Sequence, residues 1–487
     1  MLFNSLDYAL FLPIVFILYW FVTNKSLRLQ NIMLLTASYF FYGCWNWKFL
    51  FLLAFSTFLD YYTGIKIKDS ESNRVRRVWL TISVVVNLGF LGLFKYYNFF
   101  AESFADLLQS IGFQAHFSTL SVILPVGISF YTFHGLSYVF DIYYDRIKPT
   151  RNWVDYSLFV SFFPLLVAGP IERATHLLPQ VKAKRNFDYS KAIDGLRQIL
   201  WGLFKKIVIA DNCATYANMI FNHPSDYSGA TMVLGALFFT FQIYCDFSGY
   251  SDIALGTARL LGFELLQNFA FPYFSRDIAE FWRRWHISLS SWFRDYVYIP
   301  LGGSKVGTWM KVRNIFVIFL LSGFWHGANW TFLVWGGLNA LYFLPLLLSN
   351  RNRTHLQTVA QGKWFPSIKE LLQMAITFGL TVFAWIFFRA ASLTAALAYI
   401  ESMFQGLFHK SAYINSINFL VWRMSWSLPI FIFLFIIIEW IGREQKYALE
   451  KLGLGWWRPI RWGLYYLILM SIYLWGGSEQ QFIYFQF

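Results

Sequence analysis

Two histidines stand where acid–base chemistry is possible. His326 lies in NIFVIFLLSGFWHGANWTFLVWGGLNALYF, at a break between two very apolar segments, beside Gly323, Trp325 and Gly327. Such a break lets backbone and a polar side chain line a cavity rather than face lipid. If the chain stays helical through it, Ser322, His326 and Asn329 share one face. An imidazole titrates near neutral pH, so His326 reads as a general base for a hydroxyl. A structural histidine bridging two helices is the competing reading. His286 lies in FSRDIAEFWRRWHISLSSWFRDYVYIPLGG. There Phe281, Trp285, Leu289 and Trp292 or Phe293 recur at helical spacing, with Asp277, Glu280 and Arg284 on another face. The segment 274–300 therefore reads as an amphipathic helix at the membrane surface, aromatics down and charges out. Arg283 and Arg284 suit an anionic donor such as a phosphopantetheine or coenzyme A tail. Arg294 reads as part of a solvated face, and His286 as either an interfacial polar residue or a functional one.

The remaining polar groups point elsewhere. His134 lies within an apolar run and suits a hydrogen bond between packed helices, whereas His116, His176, His223, His355 and His409 fall in loops. QIYCDFSGYSDIALG sets Gln242, Asp246, Ser248, Ser251 and Asp252 between apolar stretches. Its plain reading is helix–break–helix with an Asx turn around Asp246 and Gly249. No H-E-x-x-H or clustered His/Asp spacing suggests a metal, and no G-x-S-x-G elbow suggests a serine nucleophile. The LGGS at 301–304 is a turn signal without the lysine of a phosphate-binding loop. Cys44, Cys213 and Cys245 form no C-x-x-C and cannot all pair.

The elements that must hold these residues are apolar throughout. Of 487 residues, 57% are hydrophobic, 22% aromatic and only 14% charged, against about 25% charged in soluble domains. This excludes disorder, a coiled coil and an ordinary soluble enzyme. The net charge is +14, but the basic residues sit in short loops between apolar runs, a membrane pattern rather than a nucleic-acid one. The first run follows Asp7 and precedes Lys25 and Arg28, so it reads as an uncleaved span with its N-terminus outside the cytoplasm. That places 66–77, with Lys66, Lys68, Arg74, Arg76 and Arg77, on the cytoplasmic side, as its charge requires. Further runs lie at about 31–45, 49–65, 78–97, 119–140, 154–170, 193–210, 229–246, 312–324, 329–348, 371–390, 428–441 and 459–476. With ~20 residues needed per crossing, the expectation is an all-α polytopic protein of roughly 11 to 14 transmembrane or re-entrant helices.

WRRWHISLSSWFRDYVYIPLGG and GFWHGANWTFLVWGGLNA together resemble motifs of the membrane-bound O-acyltransferase superfamily. So do FPLLVAGPIER at 163–173, YCDFSGYSDIALG at 244–256 and FIYFQF at 482–487. The nearest likeness is to the bacterial alginate O-acetyltransferase branch; 351–427 matches less clearly. The resemblance implies one membrane domain over 1–487, with core motifs at about 119–348, built as a ring of helices around a thin, tunnelled centre. It implies a catalytic histidine at His326 and a second functional position at His286, with Trp325, Asn329 or His286 facing the thioester oxygen. It implies no bound cofactor. The donor would be an acyl thioester, acetyl-CoA or an acyl carrier, on the cytoplasmic side of a bacterial inner membrane. The acceptor would be an exopolysaccharide hydroxyl, alginate or another, or a periplasmic acyltransferase partner. Membrane lipids would surround the chain. D-alanyl or peptidoglycan O-acyl transfer, a transporter of acyl groups or lipid-linked sugars, and a non-catalytic scaffold are the alternatives.

Overall fold

The computed structural model describes residues 1–113, 119–120, 124–167, 169–227, 229–407 and 409–485; His116 lies outside them. The described residues are helical or irregular, with no strand among them. They gather into two compact units, one of residues 1–195 and 257–266, the other of 196–256 and 267–487.

Among the described residues, five helices are long and apolar enough to cross a membrane: Phe49–Asp69, Asn73–Ser110, Ala230–Leu260, Trp330–Leu348 and Ile368–Arg389. Lys410–Arg423 and Ser427–Gly442 pass the same test together but are bent by 97°. The roughly 11 to 14 expected from the apolar runs include re-entrant and shorter helices as well as full crossings. Several runs are cut short, as Leu6–Val22 is, or diluted by polar groups, as Thr308–His326 is by Lys311, Arg313, Asn314 and His326. The long helices present large apolar side chains outward, among them Phe51, Phe58, Ile376 and Phe433. That is an exterior suited to lipid.

In the first unit, small residues and satisfied polar groups let helices approach closely. Asp60 accepts hydrogen bonds from Ser83 (2.6 Å) and Asn87 (2.8 Å), and a Cβ on Gly135 would collide with its carboxylate. The basic loop after Phe49–Asp69 is anchored at the surface: Lys68 and Arg76 both reach Asp145, at 2.8 and 2.9 Å. They hold that carboxyl below its ordinary range. His134 is buried in helix Ile128–Tyr143, and His176 pairs with Glu172 at 2.8 Å within reach of helix Ala174–Lys182 rather than in a loop.

In the second unit, Ala230–Leu260 is one unbroken helix, so the expected break and Asx turn around Asp246 and Gly249 do not occur. The glycine serves a helix crossing instead. A Cβ on Gly249 would stand 2.8 Å from the carbonyl oxygen of Gly202, and one on Gly202 would stand 2.6 Å from that of Gly249. The carboxylates survive mid-helix because lysines neutralise them: Lys205 reaches Asp252 at 2.6 Å and Lys206 reaches Asp246 at 2.8 Å.

Candidate functional site

Helix Thr308–His326 ends on His326, because Gly327 adopts an extended backbone. The chain reverses and re-enters as helix Trp330–Leu348. Glycines set this hairpin. A Cβ on Gly323 would overlap the carbonyl oxygen of Phe332, one on Gly327 the Phe332 ring, and one on Gly336 the carbonyl oxygen of Phe319. The break at His326 is therefore real but not helical. Ser322 stays one turn below His326, while Asn329 leaves that face. Asn329 caps the second helix, accepting from Thr331 N–H at 3.0 Å, and its amide donates to the Ala391 carbonyl at 3.0 Å. This corrects the expectation that Asn329 shares a face with His326, and the cap occupies its polar atoms.

His326 is 2% exposed. Rings surround it: Trp325 at 4.8 Å, Trp335 and Phe388 each at 5.2 Å, and Tyr484 at 5.6 Å between centroids. The imidazole is thus enclosed by aromatic rings.

The 274–300 segment is not one helix. Asp277 caps Ile278–Arg284 by accepting from Glu280 N–H at 2.7 Å. The helix stops at Trp285, and His286 takes a left-handed backbone, φ 42° and ψ 55°, before Ile287–Phe293 begins. That conformation is uncommon for a non-glycine residue and costs about 1–2 kcal/mol. Neighbouring backbone holds it: Ile287 N–H donates to the Asn268 carbonyl at 2.9 Å and Ala270 N–H to the Arg284 carbonyl at 3.0 Å. Ser288 donates to the Asn268 side chain at 2.5 Å.

His286 is buried rather than interfacial, and neither ring nitrogen has a hydrogen-bond partner among the described residues. Burial pushes its pKa down to about 3, so the ring is neutral at physiological pH. It lies 4.7 Å from the Phe247 ring, 5.9 Å from Trp325 and 6.3 Å from Tyr484. Trp325 and Tyr484 thus touch both imidazoles. Two histidines forty positions apart meet in one aromatic chamber. Its floor continues through Trp285, 5.0 Å from Trp385, which stacks on Trp335 at 5.5 Å.

Arg283 and Arg284, the residues expected to steer the donor, bind backbone carbonyls. Arg283 donates to the carbonyls of Asn352 (2.7 Å) and His355 (2.9 Å). Arg284 pairs with Glu280 and donates to the Ala270 and Gln357 carbonyls, and Arg276 joins it on Gln357 at 2.6 Å. These guanidiniums staple the 352–357 segment by satisfying its backbone acceptors. Arg294 is exposed beside Asp295, as its solvated reading requires. No group of three or more His, Cys, Asp or Glu able to hold a metal occurs among the described residues.

Sequence reasoning quoted Tyr484 within the FIYFQF motif without giving it a role, and missed the ionisable residues Lys205, Lys206 and Glu439. The last three did carry a local signal, since a charge within an apolar run is costly and marks a partner nearby. Glu439 accepts from Tyr244 at 2.7 Å and Trp201 at 3.2 Å. It also lines, with Lys205, Ser251, Asp252 and Asn268, a cavity of about 20 Å³, room for one water.

The family described as MBOAT, membrane-bound O-acyltransferase, matches residues 44–376. The chain is 40% identical over 396 residues to the probable alginate O-acetylase AlgI of Pseudomonas aeruginosa, covering 81% of this chain and 73% of that one. It is 34% identical to the peptidoglycan O-acetyltransferase of Helicobacter pylori, covering 100% and 98%. It is 29% identical to the teichoic acid D-alanyltransferase of Bacillus subtilis, covering 56% and 71%. With these likenesses and its apolar helices, the chain belongs to the membrane-bound O-acyltransferase family and is a multi-pass membrane O-acyltransferase.

Proposed function

We propose that this protein moves an acetyl group from a cytoplasmic thioester to a hydroxyl of an extracytoplasmic polysaccharide, with His326 as general base. The observation that carries the reading is the chamber in which His326 and His286 meet around Trp325 and Tyr484. His326 takes the proton of the acceptor hydroxyl as its oxygen attacks the thioester carbonyl carbon. A C–O bond forms, the C–S bond breaks, and the proton passes on to the departing thiolate. His286, neutral and without a hydrogen-bond partner among the described residues, has an N–H to offer the carbonyl oxygen as charge develops there; Trp325, 5.9 Å away between ring centroids, carries an indole N–H as well. Exclusion of water favours transfer over hydrolysis of the thioester. Because His326 is 2% exposed, substrates reach it through movement of the rings around it, and Tyr484 and Phe388 are the nearest large ones. No cofactor is needed. The donor is acetyl-CoA or an acyl carrier thioester, which puts the protein in a bacterial cytoplasmic membrane.

The acceptor is an exported polysaccharide, as the name of the Pseudomonas relative suggests for that protein. A peptidoglycan acceptor is the second reading, favoured by a Helicobacter relative that aligns over 100% of this chain, including 351–427. The two are separated by deleting the gene, restoring it as wild type or His326→Ala at equal protein level, and measuring ester-linked acetate on each polymer. Loss from exopolysaccharide alone supports the first acceptor, and loss from peptidoglycan alone supports the second. Unchanged acetate on both polymers contradicts the role of His326.

A further inference from the structure

A buried ion cluster in the second unit has no part in the chemistry above, yet it bonds to the segment that ends in the chamber. Lys206 sits in a π-helical turn, Phe204–Ala210, and bridges two carboxylates, Asp211 at 2.7 Å and Asp246 at 2.8 Å. All three side chains are at most 3% exposed. One ammonium between two carboxylates leaves donors and acceptors to be used, and the 477–484 segment uses them. Lys206 donates to the Gln480 carbonyl at 3.0 Å, and Asp246 accepts from the Ile483 backbone N–H at 2.7 Å. Two residues beyond Gln480, Phe482 packs on Tyr250 with ring centroids 4.4 Å apart. Tyr484 then packs on Phe247 at 4.5 Å. From there Tyr484 lies 5.6 Å from His326 and 6.3 Å from His286.

We propose that the Lys206–Asp246–Asp211 cluster is a latch that positions residues 480–484, so that Tyr484 is held between the two imidazoles. These are positioning residues: they touch the backbone of the segment, and the segment touches the histidines. Helix Ala230–Leu260 supplies both halves of the grip, Asp246 for the backbone and Phe247 for the ring. A segment held at Gln480 and Ile483 leaves Tyr484 little freedom. Releasing it opens one wall of the chamber. The proposal rests on the reading of His326 as the base, so its test needs a readout of segment position that does not depend on activity.

The test uses the full chain in membranes with Cys44→Ala and Ile483→Cys, whose thiol is buried while the latch holds. Asp246→Ala removes the acceptor for Ile483 N–H and leaves Lys206 neutralised by Asp211, so no unpaired charge is buried. Losing a hydrogen bond to a charged group then raises maleimide labelling at position 483 by about tenfold or more and lowers acetyl transfer by a similar factor. Asp246→Asn keeps an oxygen for that N–H and restores both values to within about threefold of the parent, which a general loss of folding does not do. A chain cut after Glu479 loses transfer with the ion cluster left whole. His326→Ala abolishes transfer while labelling stays at the parent value; if His326→Ala retains transfer, the base assignment fails and the labelling still reads the latch. The latch is overturned if Asp246→Ala leaves labelling unchanged, if it releases the segment without affecting transfer, or if the cut chain is fully active. Should Asp246→Ala fail to accumulate, the cut chain decides by transfer alone: loss of transfer at equal protein level supports the latch, and full activity overturns it.

Discussion

At the scale of the residue, two imidazoles are treated differently by their surroundings. His286 is held in a left-handed backbone, away from any hydrogen-bond partner among the described residues, and its pKa is driven down to about 3 by burial. A histidine that stays neutral when folded but takes a proton when unfolded costs stability in acid. The unfolded chain binds more protons between pH 3 and pH 6.5, so stability rises with pH through that window and levels off above it. Between pH 7 and pH 5 this single group removes about 2 kcal/mol. Thermal unfolding of the detergent-solubilised protein is expected to lose that much across the interval in the wild type, and clearly less in His286→Asn. An equal loss in both means that His286 is not the group responsible. Both histidines were legible in the sequence, because a polar residue at a break in an apolar run or beside an aromatic stripe stands out. Tyr484 was legible only as part of the FIYFQF motif, since nothing near it in the chain announces that it will reach residues 286 and 326.

Helices and turns carry the next level of the account. The hairpin that ends on His326 depends on glycines whose Cβ atoms have no room. In Gly323→Ala the new methyl overlaps a backbone carbonyl that cannot swing aside, and overpacking of this kind costs about 1–3 kcal/mol. The variant is expected to melt earlier and to lose acyl transfer. Gly337→Ala is the control on the same hairpin: its nearest neighbour is the flexible tip of Leu320 at 4.0 Å. It is expected to match or slightly exceed wild type, since alanine favours a helix by up to about 1 kcal/mol. Equal melting of the two variants contradicts the close-packed hairpin. The arginines of the 276–284 stretch make a second prediction. Arg283→Ala removes two hydrogen bonds from the Asn352 and His355 carbonyls and is expected to speed proteolysis within 350–357 severalfold, with little change in donor KM. A large rise in donor KM instead restores Arg283 to the donor site. Asp246 and Gly249 misled as a turn because glycine and a short acidic residue have that meaning in isolation. In the fold, a neighbouring helix supplies Gly202 to pack against one and Lys206 to neutralise the other, and no local pattern reports a partner 40 residues away.

For the whole molecule, composition alone settled that the chain lives in lipid and is helical. Apolar runs located the helices, while buried ion pairs, bends and π turns such as Phe204–Ala210 are invisible to run length. Charge bias predicts that 66–77 faces the cytoplasm. With Cys44 replaced by alanine, a cysteine introduced at Ser72 is expected to react with an impermeant maleimide only after the cells are permeabilised. Labelling of intact cells reverses the assigned topology. The central claim is that one imidazole, His326, takes the proton of the acceptor. Purified protein in vesicles, given isotopically labelled acetyl-CoA and acceptor polysaccharide, measures it most directly. General-base catalysis contributes about 10²–10⁴-fold, so His326→Ala and His326→Gln are each expected to transfer label at least about a hundredfold more slowly. Transfer at the wild-type rate by either variant, folded and at equal amount, contradicts the account.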